Sequence, residues 1–93
     1  MAIEQKRHVG VTPLNTLREL SGLEFLRKLI SGDLPRAPIS ATLNFDLVEA
    51  EKGLVVFSGT PSFDHYNPLG GVHGGYTATL LDSCMACAVH TTI

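Results

Sequence analysis

Between His65 and the C-terminal Ile93, Asp82 is the lone Asp, Glu, Lys or Arg. Six of the seven basic residues (Lys6, Arg7, Arg18, Arg27, Lys28 and Arg36) stand in the first 36 positions. An element that is apolar or small on every side has no solvent face and must be covered all round. The chain has 93 residues, room for one small domain, and a chain of that size hides only about two thirds of its unfolded surface. Two arrangements meet the constraint. Either a partner chain covers the uncharged stretch, or its covering structure would follow Ile93.

Composition narrows the class. At 44% hydrophobic and 17% charged, with a net charge of −2, the chain is too apolar for disorder. No basic run exceeds the pair Lys6-Arg7 in length, which argues against a nucleic-acid partner. No apolar core follows Met1–Arg7, so no secretory leader is expected. Tyr76–Ile93 is the one membrane candidate, but Asp82 near its middle costs roughly 2.5–3.5 kcal/mol on insertion scales. The expectation is a central, buried helix and no membrane partner. Two cysteines without a leader make a reducing cytoplasm the expected compartment.

Residues 1–13 read as a polar lead-in closed by Pro13, and residues 14–93 as the domain. Leu14, Leu17, Leu20, Leu23, Leu26 and Leu29 recur every third residue, widened by Phe25 and Ile30, which predicts amphipathic helix. Gly22 weakens its middle, and Ser21 with Glu24 has capping-box spacing, so a second helix can restart there. Gly32 is a C-terminal stop, and Leu34–Pro38 a stiff linker. A helical turn to about Leu43, a left-handed Asn44, a strand from Phe45 to Ala50, a turn at Glu51-Lys52-Gly53 and a strand over Leu54–Ser58 follow. The strands are expected to pair as an antiparallel hairpin. An irregular loop over Asp64–Val72 then leads to a helix from His73 or Gly74 to about His90.

Three elements there carry chemistry: the polar loop with Asn67, the helix start His73-Gly74-Gly75, and Asp82. A helix start leaves backbone N–H groups unpaired with the positive dipole end behind them. Glycine lets a carbonyl approach that backbone closely, which suits an oxyanion or a polarised thioester oxygen. No Gly-Lys-Ser/Thr follows, and the glycines lack G-x-G-x-x-G spacing, so Walker and dinucleotide loops are excluded. A buried Asp82 must be satisfied by groups such as Thr79 or Ser83, or be functional. Asp82 lies eight residues past Gly74, about 12 Å along a helix, too far for both to act on one carbonyl within a chain. Two such helices, antiparallel about a two-fold axis, would build two equivalent sites. Gly75, Ala78 and Ala86 are small enough to allow the close approach.

The run His65-x-Asn67-x-x-Gly70-x-x-His73-Gly74-Gly75, followed by Leu80-Leu81-Asp82, resembles hotdog-fold acyl-CoA thioesterases of the PaaI-like, phenylacetic-acid-degradation type. Leu34-Pro35-x-x-Pro38-Ile39 and Glu49-x-x-x-Gly53 are similar to that family as well, so the likeness covers roughly Ser21 to Ile93. The resemblance implies an α+β hotdog fold, a curved antiparallel sheet around a central helix, working as a homodimer or a dimer of dimers. It implies hydrolysis of an acyl- or aroyl-CoA thioester. The Gly74 amide would polarise the carbonyl, Asn67 would place substrate or water, and Asp82 of the partner subunit would act as nucleophile or general base. His65, His73 and Gly75 would line the substrate site, His73 shaping the loop. Family members continue with further strands after the helix, and here only the N-terminal part of that sheet is expected. The other readings are a non-catalytic acyl-CoA-binding module of the same fold, an inactive truncated fragment and, more weakly, a hydratase or dehydratase. Cys84-Met85-Ala86-Cys87 reads as packed thiols rather than a redox pair. Neither a metal nor a cofactor is expected, because His65, His73 and His90 lack ligand spacing.

Overall fold

The leucine stripe does not run as one helix. In a computed structural model, which describes residues 8–93, it divides into α1 (Leu14–Arg18) and α2 (Gly22–Ser31). The break is chemical. Ser21 Oγ accepts from the Glu24 N–H at 3.1 Å, and the Ser21 N–H donates to Glu24 Oε1 at 2.8 Å, a reciprocal cap that starts a new helix. Accepting the Ser21 N–H, with the Ser21 hydroxyl beside it, holds the Glu24 carboxyl below its ordinary value of about 4.5. Gly32, at φ 88°, ends α2 in the left-handed region where a side chain would be strained.

Pro38 sits in the first turn of α3 (Pro38–Leu43), and Asn44 closes it at φ 54°. Asn44 also exchanges bonds with Thr60. Its Nδ2 donates to the Thr60 carbonyl at 3.1 Å, and the Thr60 N–H donates to the Asn44 carbonyl at 3.1 Å. That pairing locks the two ends of a hairpin built from β1 (Phe45–Glu51) and β2 (Leu54–Gly59). The strands are antiparallel, with Phe45 opposite Gly59, Glu51 opposite Leu54 and an irregularity between Leu47 and Glu49. A 3-10 turn at Phe63–His65 and then α4 (Gly74–His90) complete the order. The result is a small α+β structure with a two-stranded sheet. No helix among the described residues is long and apolar enough to cross a membrane.

Helix α2 packs on β1 and α4 on β2, around Leu26, Ala50 and Val55. Phe45, fully buried, stands edge-on to Phe57 and Tyr76. The start of α2 meets the end of α4. A Cβ on Gly22 would collide with the His90 carbonyl, and the Gly22 N–H donates to the Ile93 carbonyl at 3.0 Å. Gly22 is therefore a contact point rather than the weak centre of a helix. Thr91 ties the same end to the hairpin turn: its hydroxyl accepts from the Gly53 N–H and donates to the Ala88 carbonyl, both at 2.7 Å. Of the lead-in expected over residues 1–13, residues 1–7 lie outside the described part. His8 and Gly10 bond through their backbones to Arg36.

The expectation of a buried central helix is corrected. Of α4, Tyr76 alone is buried, while Leu81 is 55%, Met85 64% and Val89 64% exposed. A two-stranded sheet is narrower than the helix circumference, so it covers one side. The sheet does not curl around α4, and the curved sheet expected from the resemblance is absent among the described residues.

Gly22→Ala should lower stability by about 1–3 kcal/mol through overpacking, read as a lower urea midpoint. For Glu24, a folded pKa below the unfolded one means a contribution present above the ordinary carboxylate range and lost as pH falls through the folded value. The stability gap between the native chain and Glu24→Gln should therefore narrow on acidification. A gap that holds or widens would contradict the capping role.

Candidate functional site

The loop before α4 is organised by Asn67. Its Oδ1 accepts from the Leu69 N–H at 2.9 Å and the Gly71 N–H at 3.1 Å. Its backbone N–H donates to the Gly71 carbonyl at 2.7 Å, and its carbonyl accepts from Gly70 at 3.0 Å. Gly70 takes φ 86° to close the turn. The Asn67 carbonyl oxygen is thus part of the turn, and its amide nitrogen is the end outside it.

His65 is buried, and both ring nitrogens are engaged. Nδ1 accepts from the Ser62 N–H at 2.9 Å, so Nε2 carries the hydrogen and donates to the Thr42 carbonyl at 3.1 Å. The ring pins the loop to α3, and the His65 carbonyl accepts from the His73 N–H at 2.8 Å. The imidazole, expected to line the substrate site, has both ring nitrogens committed to the framework.

The start of α4 sorts its own donors. His73 Nδ1 accepts from the Gly75 N–H at 2.7 Å, and the His73 carbonyl accepts from the Tyr76 N–H at 3.0 Å. A Cβ on Gly75 would sit 2.9 Å from His73 Nδ1, so the cap depends on glycine there. The Gly74 N–H is the first-turn amide left without a partner among the described residues. Nothing lies within 4 Å of where a Gly74 Cβ would sit. One helix start therefore presents one open donor, with the dipole behind it.

Asp82 is exposed rather than buried, which overturns the desolvation argument for it. The structural alternative loses a partner too, because the Thr79 hydroxyl donates to the Gly75 carbonyl at 2.7 Å. Among the described residues the Asp82 carboxylate has no hydrogen-bond or ion-pair partner. It stands on the edge of α4, between the face packed on the hairpin and the uncovered ridge of Leu81, Met85 and Val89. Gly74 lies seven residues before Leu81, nearly two turns, and so falls on that same uncovered stripe.

Two cavities flank the helix. One of about 300 Å³ is walled by His65, His73, Gly75, Tyr66 and Thr79, near the helix start. The other, of about 270 Å³, lies between α4, the hairpin and the α2–α3 segment, and Asp82 and Ser83 line it. His65, His73 and Gly75 thus share one wall, while Asp82 faces a different space.

Sequence reasoning missed the pair in the second cavity. Arg36 holds Asp46 in a two-pronged ion pair, Nε to Oδ1 and Nη2 to Oδ2, both at 2.8 Å. Nothing in the linear spacing joins a linker arginine to a strand aspartate; the His8 and Gly10 bonds that hold Arg36 are tertiary. Among the described residues the buried Tyr76 hydroxyl has no partner; it lies against Gly59, where a Cβ would collide with it. Cys84 and Cys87 are free and half-buried against the core, and burial pushes the Cys87 thiol up. Among the described residues no three His, Cys, Asp or Glu side chains gather as metal ligands. No family model, curated protein or solved structure matches this chain.

His73→Ala removes the Gly75 cap and should cost about 0.5–2 kcal/mol, whereas His73→Asn should recover most of it in the same urea titration. Cys87 should react with iodoacetamide more slowly than an unfolded-chain thiol at mildly alkaline pH. Equal rates in native and urea-unfolded protein would contradict its packing.

Proposed function

We propose that this chain is a hotdog-type acyl-CoA thioesterase of the PaaI-like kind, hydrolysing an acyl- or aroyl-CoA to free acid and CoA in a homodimer. One observation carries the reading. The open Gly74 amide and the unpartnered Asp82 carboxylate stand on the same uncovered side of α4, about 12 Å apart along its axis. One chain cannot aim both at one carbonyl. Two antiparallel copies of α4 can, twice over.

The pairing has a definite centre. If Gly74 of one helix meets Asp82 of its partner, the two-fold axis passes the residue midway between them, Ala78. A small residue at the axis lets the backbones approach, and Leu81 beside it supplies apolar contact from a ridge that nothing among the described residues covers.

In such a site the Gly74 N–H takes the developing oxyanion. Asp82 removes a proton from water as the water oxygen bonds to the acyl carbon. The tetrahedral adduct then expels the CoA sulfur, which recovers that proton, leaving the acid. Alternatively the Asp82 carboxylate attacks the carbonyl and expels CoA thiolate, giving a mixed anhydride that water opens to free acid and Asp82, the thiolate taking up the proton that the water releases. Asn67 keeps the loop closed beside the donor, with its amide nitrogen outside the turn.

Release of CoA thiol from octanoyl- or phenylacetyl-CoA tests the reading. Asp82→Asn should lower turnover by about 10²–10⁴-fold with the unfolding midpoint nearly unchanged. Ala78→Trp, which leaves both functional groups in place, should abolish dimers in sedimentation and turnover with them. Undiminished hydrolysis by Asp82→Asn would sink the proposal. Acyl-CoA binding with no thiol released by the native chain would instead favour the non-catalytic binding module.

A further inference from the structure

We infer that His65 is a positioning residue, which sets the aim of the Gly74 amide through a run of hydrogen bonds that starts on α3. The inference rests on the thioesterase reading and adds the device that holds its oxyanion donor in place. His65 is buried and takes no part in the bond-making described above.

The donor needs such a device. The Gly74 N–H belongs to the peptide that joins His73 to Gly74, so its direction follows the His73 backbone, at φ −63° and ψ 137°. That N–H lies outside the helical ladder. Nothing stands within 4 Å of where a Gly74 Cβ would sit, so no neighbour corrects its tilt, and glycine resists tilting least.

The loop in front of it behaves as one body. The His65 carbonyl accepts from the His73 N–H at 2.8 Å, Tyr66 bridges antiparallel to Val72, and the Asn67 N–H donates to the Gly71 carbonyl at 2.7 Å. These cross-links zip the two legs together, and His73 at the end of one leg caps α4. A shift of the loop is therefore passed to the His73–Gly74 peptide.

One hydrogen bond tethers that body to the fold. His65 Nε2 donates to the Thr42 carbonyl of α3 at 3.1 Å. Among the described residues no other hydrogen bond joins residues 63–73 to α3 or to the hairpin. The bond from the Ser62 N–H to Nδ1, at 2.9 Å, is local and fixes the tautomer. The Tyr76 ring, with its centroid 5.1 Å away, stops the imidazole from swinging. Helix α3 is itself locked where Asn44 pairs with Thr60.

Two substitutions separate the two ring bonds. A Gln amide nitrogen reaches as far as Nε2, whereas an Asn amide oxygen stops at the place of Nδ1. His65→Gln therefore keeps the donor to Thr42, and His65→Asn keeps only the acceptor for Ser62. With phenylacetyl-CoA, His65→Asn should lower kcat about 10²-fold at unchanged KM, the scale of a misplaced reacting group. His65→Gln should recover most of that loss. Amide hydrogen exchange reads the same linkage without turnover. In His65→Asn the His73 and Gly75 amides should exchange about tenfold faster or more, while the β1–β2 amides keep their native rates; in His65→Gln all should stay near native. Equal kcat in the two variants, a change in KM alone, or native exchange at His73 and Gly75 in a folded His65→Asn overturns the inference and leaves the hydrolase standing. Should His65→Asn unfold, a folded His65→Gln with kcat down about 10²-fold also overturns it, and one near native supports it. If the native chain releases no thiol the hydrolase fails, and the exchange pattern alone decides whether His65 places the Gly74 amide.

Discussion

The close approach of Gly22 to the His90 carbonyl governs how much of this chain holds together. Helix α2 offers its positive end where α4 offers its negative one, and the Gly22 N–H completes the contact at the Ile93 carbonyl. With Thr91 fastening the same end to the hairpin turn, α4 is gripped at its C-terminus. Its opposite end is fixed through Tyr76, packed on Phe45 and His65. The candidate groups on α4, Gly74 and Asp82, inherit their positions from those two grips.

The grips hold one face and leave the other open. A hairpin of two strands cannot surround a helix, so the Leu81, Met85 and Val89 ridge faces outward. The open amide of Gly74 and the carboxylate of Asp82 lie on the same side as that ridge. Exposed apolar area and the two candidate groups therefore coincide on one surface, which is the physical basis of the proposal that a second copy packs there.

Much of the local structure was legible. Ser21 and Glu24 announced the capping box, Asn44 the left-handed stop, Gly53 the hairpin turn, and His73-Gly74 the start of α4. Each is a local rule, satisfied by a few neighbouring residues. The site was legible in part. Glycine spacing located the helix start, but not that His73 would close off the Gly75 amide, nor that His65 would hold Ser62 and Thr42 with both ring nitrogens. The Arg36–Asp46 pair was invisible, because its geometry depends on the linker being fixed by His8 and Gly10.

The uncharged stretch from His65 to Ile93 determined by itself that α4 carries apolar or small side chains nearly all round, since apolar patterning is a local property of side chains. It also determined the 12 Å separation of Gly74 from Asp82, because helical rise is fixed by the backbone. Tertiary structure decided which side of that helix is covered, because coverage depends on how wide a sheet two strands can make. It also decided that Asp82 stands exposed at the edge of an apolar cavity rather than buried. Depth is set by neighbours distant in sequence, and no local pattern records them.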